Sequence, residues 1–117
     1  LKDNNCKLEG LYNYKSTIAI ENISLPGYFT EKINDCFLSY TFPLYYGCPE
    51  IEYYFPKESF YQINTLEKKD VDKLELFLHS FTYDTKTISA IQYSRELLLM
   101  RYNIWNIVNR LCRQICR

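Results

Sequence analysis

With 117 residues, a formal net charge of zero and 47% apolar residues, the chain is sized for a single domain, 1–117, able to bury roughly two thirds of its unfolded surface. Balanced charge argues against a dedicated nucleic-acid binder, and no apolar run approaches the roughly 18 residues of a membrane span. The charge is unevenly placed all the same: residues 1–84 carry a net −5 and residues 85–117 a net +5, with every arginine in the second part.

Residues 8–24 support two readings. Leu8, Leu11 and Tyr12 suit a helix, whereas Thr17 to Ile20, with Ile18 and Ile20 alternating, suit a short strand. After the Pro26-Gly27 turn, Thr30 is placed to cap a helix in which Ile33, Cys36, Phe37 and Tyr40 recur at helical spacing, with Pro43 as its stop. Residues 43–56 hold three of the four prolines, which predicts an irregular stretch, and Pro56 suits the first position of a short helix through Phe60 and Tyr61.

From Thr65 to Phe81 the stripe Val71, Leu74, Phe77, Leu78 and Phe81 predicts an amphipathic helix whose wet side carries Lys68, Lys69, Asp72, Lys73 and Glu75. Residues 83–86 form a short connection, capped by Asp84, Thr85 or Thr87, into a long helix from Ile88 to Ile115. Its stripe is Leu97, Ile104, Val108, Leu111 and Ile115, widened by Trp105, and the two helices are expected to form an antiparallel hairpin.

Five cysteines in so short a chain favour an oxidising compartment. Because the only methionine is Met100, Leu1 is not an initiator residue, and the expectation is an exported, extracellular chain from which a signal has been removed. The Asn22-Ile23-Ser24 tripeptide is an N-glycan acceptor pattern that fits this reading. Cys112 and Cys116, four residues apart on one helix, converge poorly on each other. Each is therefore expected to bridge to an upstream partner among Cys6, Cys36 and Cys48, leaving one odd thiol. A zinc site is the competing use of these thiols, but only Cys112 with Cys116 has usable ligand spacing, so no metal and no other cofactor is expected.

Catalytic signals are sparse. The lone His79 lies among apolar neighbours of a helix, Glu50 with Glu52 falls in a loop, and Asp70, Asp72 and Glu75 belong to a wet helix face, where nothing raises a carboxylate pKa. The three glycines are too scattered for a phosphate loop. Binding signals are stronger. Residues 42–61 hold eight aromatic rings, among them Tyr45, Tyr46, Tyr53 and Tyr54, and tyrosine gives large contact area with few rotors. The terminal helix adds Arg101, Arg110 and Arg113 as a face for an acidic partner.

Two short likenesses accompany these features. The run Asn109 to Cys116 resembles the cysteine-bearing helix of long-chain helical cytokines, and Cys36, Tyr45 or Tyr46, and Cys48 give a Cys-Tyr-Cys spacing similar to that of secreted insect gall effectors. Each covers a small part of the chain, and no functional residue is carried over from either. The combined expectation is a mainly α, disulfide-stapled domain with a C-terminal helical hairpin and a proline- and aromatic-rich irregular middle, with an α+β fold bearing a short N-terminal strand as the alternative. Its expected role is that of a secreted, non-enzymatic protein, a host-directed effector or a signalling ligand, that binds a receptor or host protein through Tyr45, Tyr46, Tyr53, Tyr54, Arg101, Arg110 and Arg113, its oligomeric state open. The alternatives are a small hydrolase or redox protein with a free cysteine, and an intracellular helical interaction domain.

Overall fold

The computed structural model describes residues 10–116. Its centre is a parallel sheet of three strands, β1 (Ser16–Ile20), β2 (Phe42–Tyr46) and β3 (Tyr61–Gln62), in the order β1-β2-β3. Parallel neighbours need a crossover, and residues 21–41 make the first one through α1 (Glu31–Leu38). The fold is therefore α/β, and the mainly helical expectation is corrected.

Pro43 explains much of the error. Read as a helix stop, it sits instead inside β2, opposite Thr17 of β1. The Phe42 N–H points toward β1, where it donates to the Lys15 carbonyl at 2.8 Å, so the nitrogen of Pro43 faces the β3 side. Pairing with β3 begins only at Leu44, and the missing N–H costs no ladder bond. β2 is buried on both faces over Phe42, Pro43, Leu44 and Tyr45, which gives the continuous apolar run of a covered parallel strand rather than an alternation.

α1 forms where the sequence places it. The Thr30 hydroxyl accepts from the Lys32 N–H at 3.4 Å, Ile33, Cys36 and Phe37 turn inward, and the chain leaves through Tyr40 at φ 54°. Two 3-10 turns, Ile51–Tyr53 and Lys57–Ser59, carry the chain from β2 to β3. α2 (Lys68–Ser80) lays Phe77 against Phe42 and Tyr61, with ring centroids 6.0 and 4.4 Å apart, and Phe81 just beyond its end packs at 4.6 Å from Phe42.

α3 (Thr85–Met100) starts at Asp84, whose side chain accepts from the Thr87 N–H. It packs on α1 and the 57–59 turn rather than along α2, so the expected hairpin does not close on itself. Arg95 donates to the Leu38 carbonyl at the end of α1 and stacks over the Tyr40 ring at 4.3 Å. The long terminal helix is broken at residues 101–103. α4 (Ile104–Ile115) restarts from Asn103, whose side chain accepts from the Trp105 N–H at 2.8 Å.

No disulfide joins two described cysteines, which corrects the stapled framework. Cys36 and Cys48 are buried in the core, whereas Cys112 and Cys116 are exposed on α4. Cys36 Sγ lies 3.1 Å from the Lys32 carbonyl, Cys48, Cys112 and Cys116 are free thiols, and Cys6 falls outside the described residues. No helix among the described residues is long and apolar enough to cross a membrane.

Candidate functional site

In open parallel α/β sheets, ligands sit in the crevice beyond the carboxyl ends of the strands. β1 ends at Ile20 and β2 at Tyr46, and the residues that follow them, Glu21 and Gly47, are built into each other. The Glu21 N–H donates to the Tyr46 carbonyl at 2.8 Å, and the Glu21 side chain then folds inward until the residue is only 2% exposed.

A buried carboxylate is tolerated only when it is paired and hydrogen-bonded. Glu21 accepts from the Thr30 N–H at 2.8 Å and the Thr30 hydroxyl at 2.7 Å, with the Tyr45 hydroxyl at 3.5 Å and the Lys32 ammonium at 3.6 Å. The Tyr45 hydroxyl in turn accepts from the Cys48 N–H at 3.0 Å. Burial pushes the Tyr45 phenol well above its ordinary range, with the nearby Glu21 charge a lesser contribution in the same direction. Gly47 lies against this node: a Cβ there would meet Glu21 Cγ at 2.4 Å and the Tyr45 hydroxyl at 2.5 Å.

The effect is to clamp the loop between β1 and α1. Ser24 donates to the Gly47 carbonyl at 2.8 Å, Gly27 turns the chain at φ 72°, and Phe29 anchors edge-on against Tyr54, Phe55 and Tyr102, at 5.0, 5.5 and 6.2 Å. Asn22, Tyr28 and Glu31 stay exposed on the clamped loop, and Lys32 is half-buried. The first turn of α1 carries the positive end of the helix dipole, with the Lys32 N–H bonded to the Thr30 hydroxyl. Beside it Lys32 lines an open groove of about 560 Å³ with Thr17, Ile18, Ile20 and Asp35. Such a corner suits an anionic, phosphate-like group.

The four tyrosines proposed from the sequence do not form one surface. Tyr45 is wholly buried, Tyr46 and Tyr54 are half-buried, and Tyr53 is 77% exposed. Tyr53, Tyr54 and Arg101 line a groove with Tyr93 and Tyr102, whereas Arg110 and Arg113 meet Arg101 in a second one, at the bend between α3 and α4. Asn22 is exposed just after β1. His79, Glu50 and Glu52 are exposed, and the Asp70 carboxylate is held below its usual range by hydrogen bonds from Thr65 and Lys73. The sequence reading missed Glu21 and Lys32 altogether, and gave Thr30 only a cap and Asn22 only a glycan. The available signal was a strand ending in a carboxylate, a Pro-Gly turn, and Thr30-Glu31-Lys32 opening a helix.

The chain matches, over residues 1–116, the family model described as glycosyltransferase family 10 (fucosyltransferase) C-term. It belongs to that family. An α-(1,3)-fucosyltransferase FucT of Helicobacter pylori is 36% identical over 76 residues, which are 63% of this chain and 16% of that protein. Among solved structures, an α1,3-fucosyltransferase with GDP-fucose superposes with a TM-score of 0.58 at 29% identity, covering 79% of this chain and 26% of that one. A further α1,3-fucosyltransferase structure gives 0.55 at 30% identity, covering 73% and 24%. The chain thus spans well under two thirds of the length of the proteins it matches.

Family 10 membership overturns the non-enzymatic, binding-protein reading. The family is one of enzymes, so the expectations of a cytokine-like or effector protein, and of a receptor or host protein as its partner, are withdrawn. The parallel α/β fold is that of the fucosyltransferases.

Proposed function

We propose that this chain forms the donor-nucleotide part of a fucosyltransferase that moves fucose from GDP-fucose to a hydroxyl of an acceptor glycan. The observation that carries the reading is the buried Glu21, which fixes the 21–30 loop and the start of α1 at the carboxyl ends of β1 and β2. The diphosphate is assigned to the first turn of α1 and to Lys32. The exposed Asn22, Tyr28 and Glu31 are assigned to donor hydroxyls. In transfer, the bond between the sugar C1 and the β-phosphate oxygen breaks, the acceptor oxygen bonds to C1 as its hydroxyl proton is released to water, and negative charge grows on the departing GDP. Lys32 and the helix dipole oppose that charge, and donors already fixed in place need no reorganisation.

Calorimetric titration with GDP and GDP-fucose tests the reading. The unaltered chain is expected to bind both, and Lys32→Ala is expected to weaken them by about tenfold or more, a loss of about 1.4 kcal/mol, while Arg113→Ala leaves them unchanged. Lack of binding by the unaltered chain would overturn the reading. Full affinity in a folded Lys32→Ala variant would overturn the placement.

A further inference from the structure

A second groove, separate from the one beside Lys32, runs between the 51–53 turn and α3. Its floor is fixed by the fold: the Tyr102 hydroxyl donates to the Tyr54 carbonyl at 3.2 Å, the two rings pack at 6.0 Å, and both lean on Phe29. Its rim is open to water. Tyr53 is 77% and Tyr93 54% exposed, one on the turn and one on α3, with Glu52 and Arg101 exposed beside them. Neither charged side chain is in an ion pair among the described residues. A single exposed tyrosine is ordinary. Two that line one groove from different elements, with a carboxylate and a guanidinium of cancelling charge, present flat apolar faces edged by hydrogen-bonding groups.

We propose that this groove holds the non-reacting rings of a neutral acceptor glycan, away from the hydroxyl that receives fucose. A pyranose ring matches such a lining, because its axial C–H groups form an apolar face that lies flat on an aromatic ring, while its hydroxyls reach outward to Glu52 as acceptor and Arg101 as donor. The paired acid and base favour a neutral sugar over an anionic one. The groove holds about 220 Å³, below the roughly 300–1,000 Å³ of drug-sized ligand pockets, which admits a sugar ring and excludes a helix about 10 Å across. Its position agrees. Phe29 anchors the 21–30 loop on the groove floor, and the Tyr54 hydroxyl stands 3.4 Å from where a Cβ on Gly27 would be, so floor and donor loop are one continuous structure. Binding energy gathered by remote rings can then be used to orient the reacting hydroxyl. The inference rests on the fucosyltransferase reading and adds a subsite that GDP-fucose does not occupy.

The test titrates this chain with cellotetraose, chitotetraose and lacto-N-neotetraose, and separately with GDP, following the backbone amide NMR signals of residues 52–54, 93, 101 and 102. At least one of these neutral tetrasaccharides is expected to shift the signals with a millimolar Kd. Tyr53→Ala and Tyr93→Ala are each expected to weaken that binding by about fivefold, whereas Tyr53→Phe, which keeps the ring, retains it. Lys69→Ala, exposed on α2, is expected to change nothing. GDP binding with no sugar response at these residues would overturn the groove assignment alone, and failure of both ligands would overturn the donor reading with it. Undiminished sugar affinity in both alanine variants would also overturn the assignment. So would shifts that follow chain concentration in the absence of sugar, which would give the groove to a second copy.

Discussion

The β1–α1–β2 unit and α4 treat their side chains in opposite ways. In the first, a carboxylate that water would solvate freely is taken inside and given Thr30, Tyr45 and Lys32 as partners. In the second, a tryptophan and four aliphatic side chains that water disfavours are left outside. Amphipathic patterning states which face of a helix seeks cover, but not whether the covering surface belongs to the same chain. A buried charge is more informative about place, because desolvation is tolerated only where surrounding groups already stand in fixed positions.

The largest expected effects fall in the first region. Glu21→Ala would leave the Thr30 N–H and hydroxyl, the Tyr45 hydroxyl and the Lys32 ammonium without their acceptor, and should cost about 3–5 kcal/mol in urea unfolding. Phe37→Ala, at a wholly buried position, should cost a similar amount, about 3–5 kcal/mol, through lost contacts and a cavity. A loss below about 1 kcal/mol for Glu21→Ala would break the comparison, because the carboxylate would then not be what organises the loop. Gly47→Ala comes next at about 1–3 kcal/mol, since its methyl must displace the Glu21 stem or the Tyr45 hydroxyl.

Alkaline pH probes the same node without a mutation. The Tyr45 phenol is raised in the folded chain chiefly by burial, and Tyr83, whose hydroxyl donates to the Tyr40 carbonyl, is raised for the same cause. In the unfolded chain both ionise near pH 10. The unfolded state thus loses its protons first, so this contribution to stability is complete below about pH 10 and falls as pH rises further, by up to about 1.4 kcal/mol per pH unit for the buried Tyr45 and by less for the part-exposed Tyr83, which solvent screens. Unfolding midpoints measured from pH 8 to 11.5 should decline only in the upper part of that range. Tyr45→Phe should flatten the decline even though it lowers stability at pH 8 by leaving the Cys48 N–H unpaired.

α1 was legible because its signals are local: Thr30 sits beside the helix it caps, and Ile33, Cys36 and Phe37 lie within two turns. The sheet was obscured because β2 is covered on both faces and so shows no alternation, and because Pro43 suggests a stop unless the late start of β3 is known. β3 has two residues and no pattern of its own. The break before α4 left one local trace, Asn103 in cap position. The candidate site was hidden by distance along the chain, since Glu21 meets groups nine and twenty-four residues away and none of those pairings has a sequence period. The cysteines misled in the same way, because their spacing does not tell that two are in the core and two on a projecting helix.

The smallest predicted effect divides the tyrosines that the sequence grouped. Tyr53 projects from the first 3-10 turn with most of its ring in water, beside Tyr93 and Arg101, so little contact or desolvation is lost when the ring is removed. Tyr53→Ala should change the unfolding free energy by no more than about 0.5 kcal/mol. Tyr54→Ala should cost more, because that ring packs on Phe29 and Tyr102 at 5.0 and 6.0 Å and helps hold the loop whose turn at Gly27 lies against its hydroxyl. Equal losses for the two variants in denaturant titration would mean that the groove between the 51–53 turn and α3 is closed in solution. The difference between adjacent tyrosines, one structural and one free to meet a ligand, would then disappear.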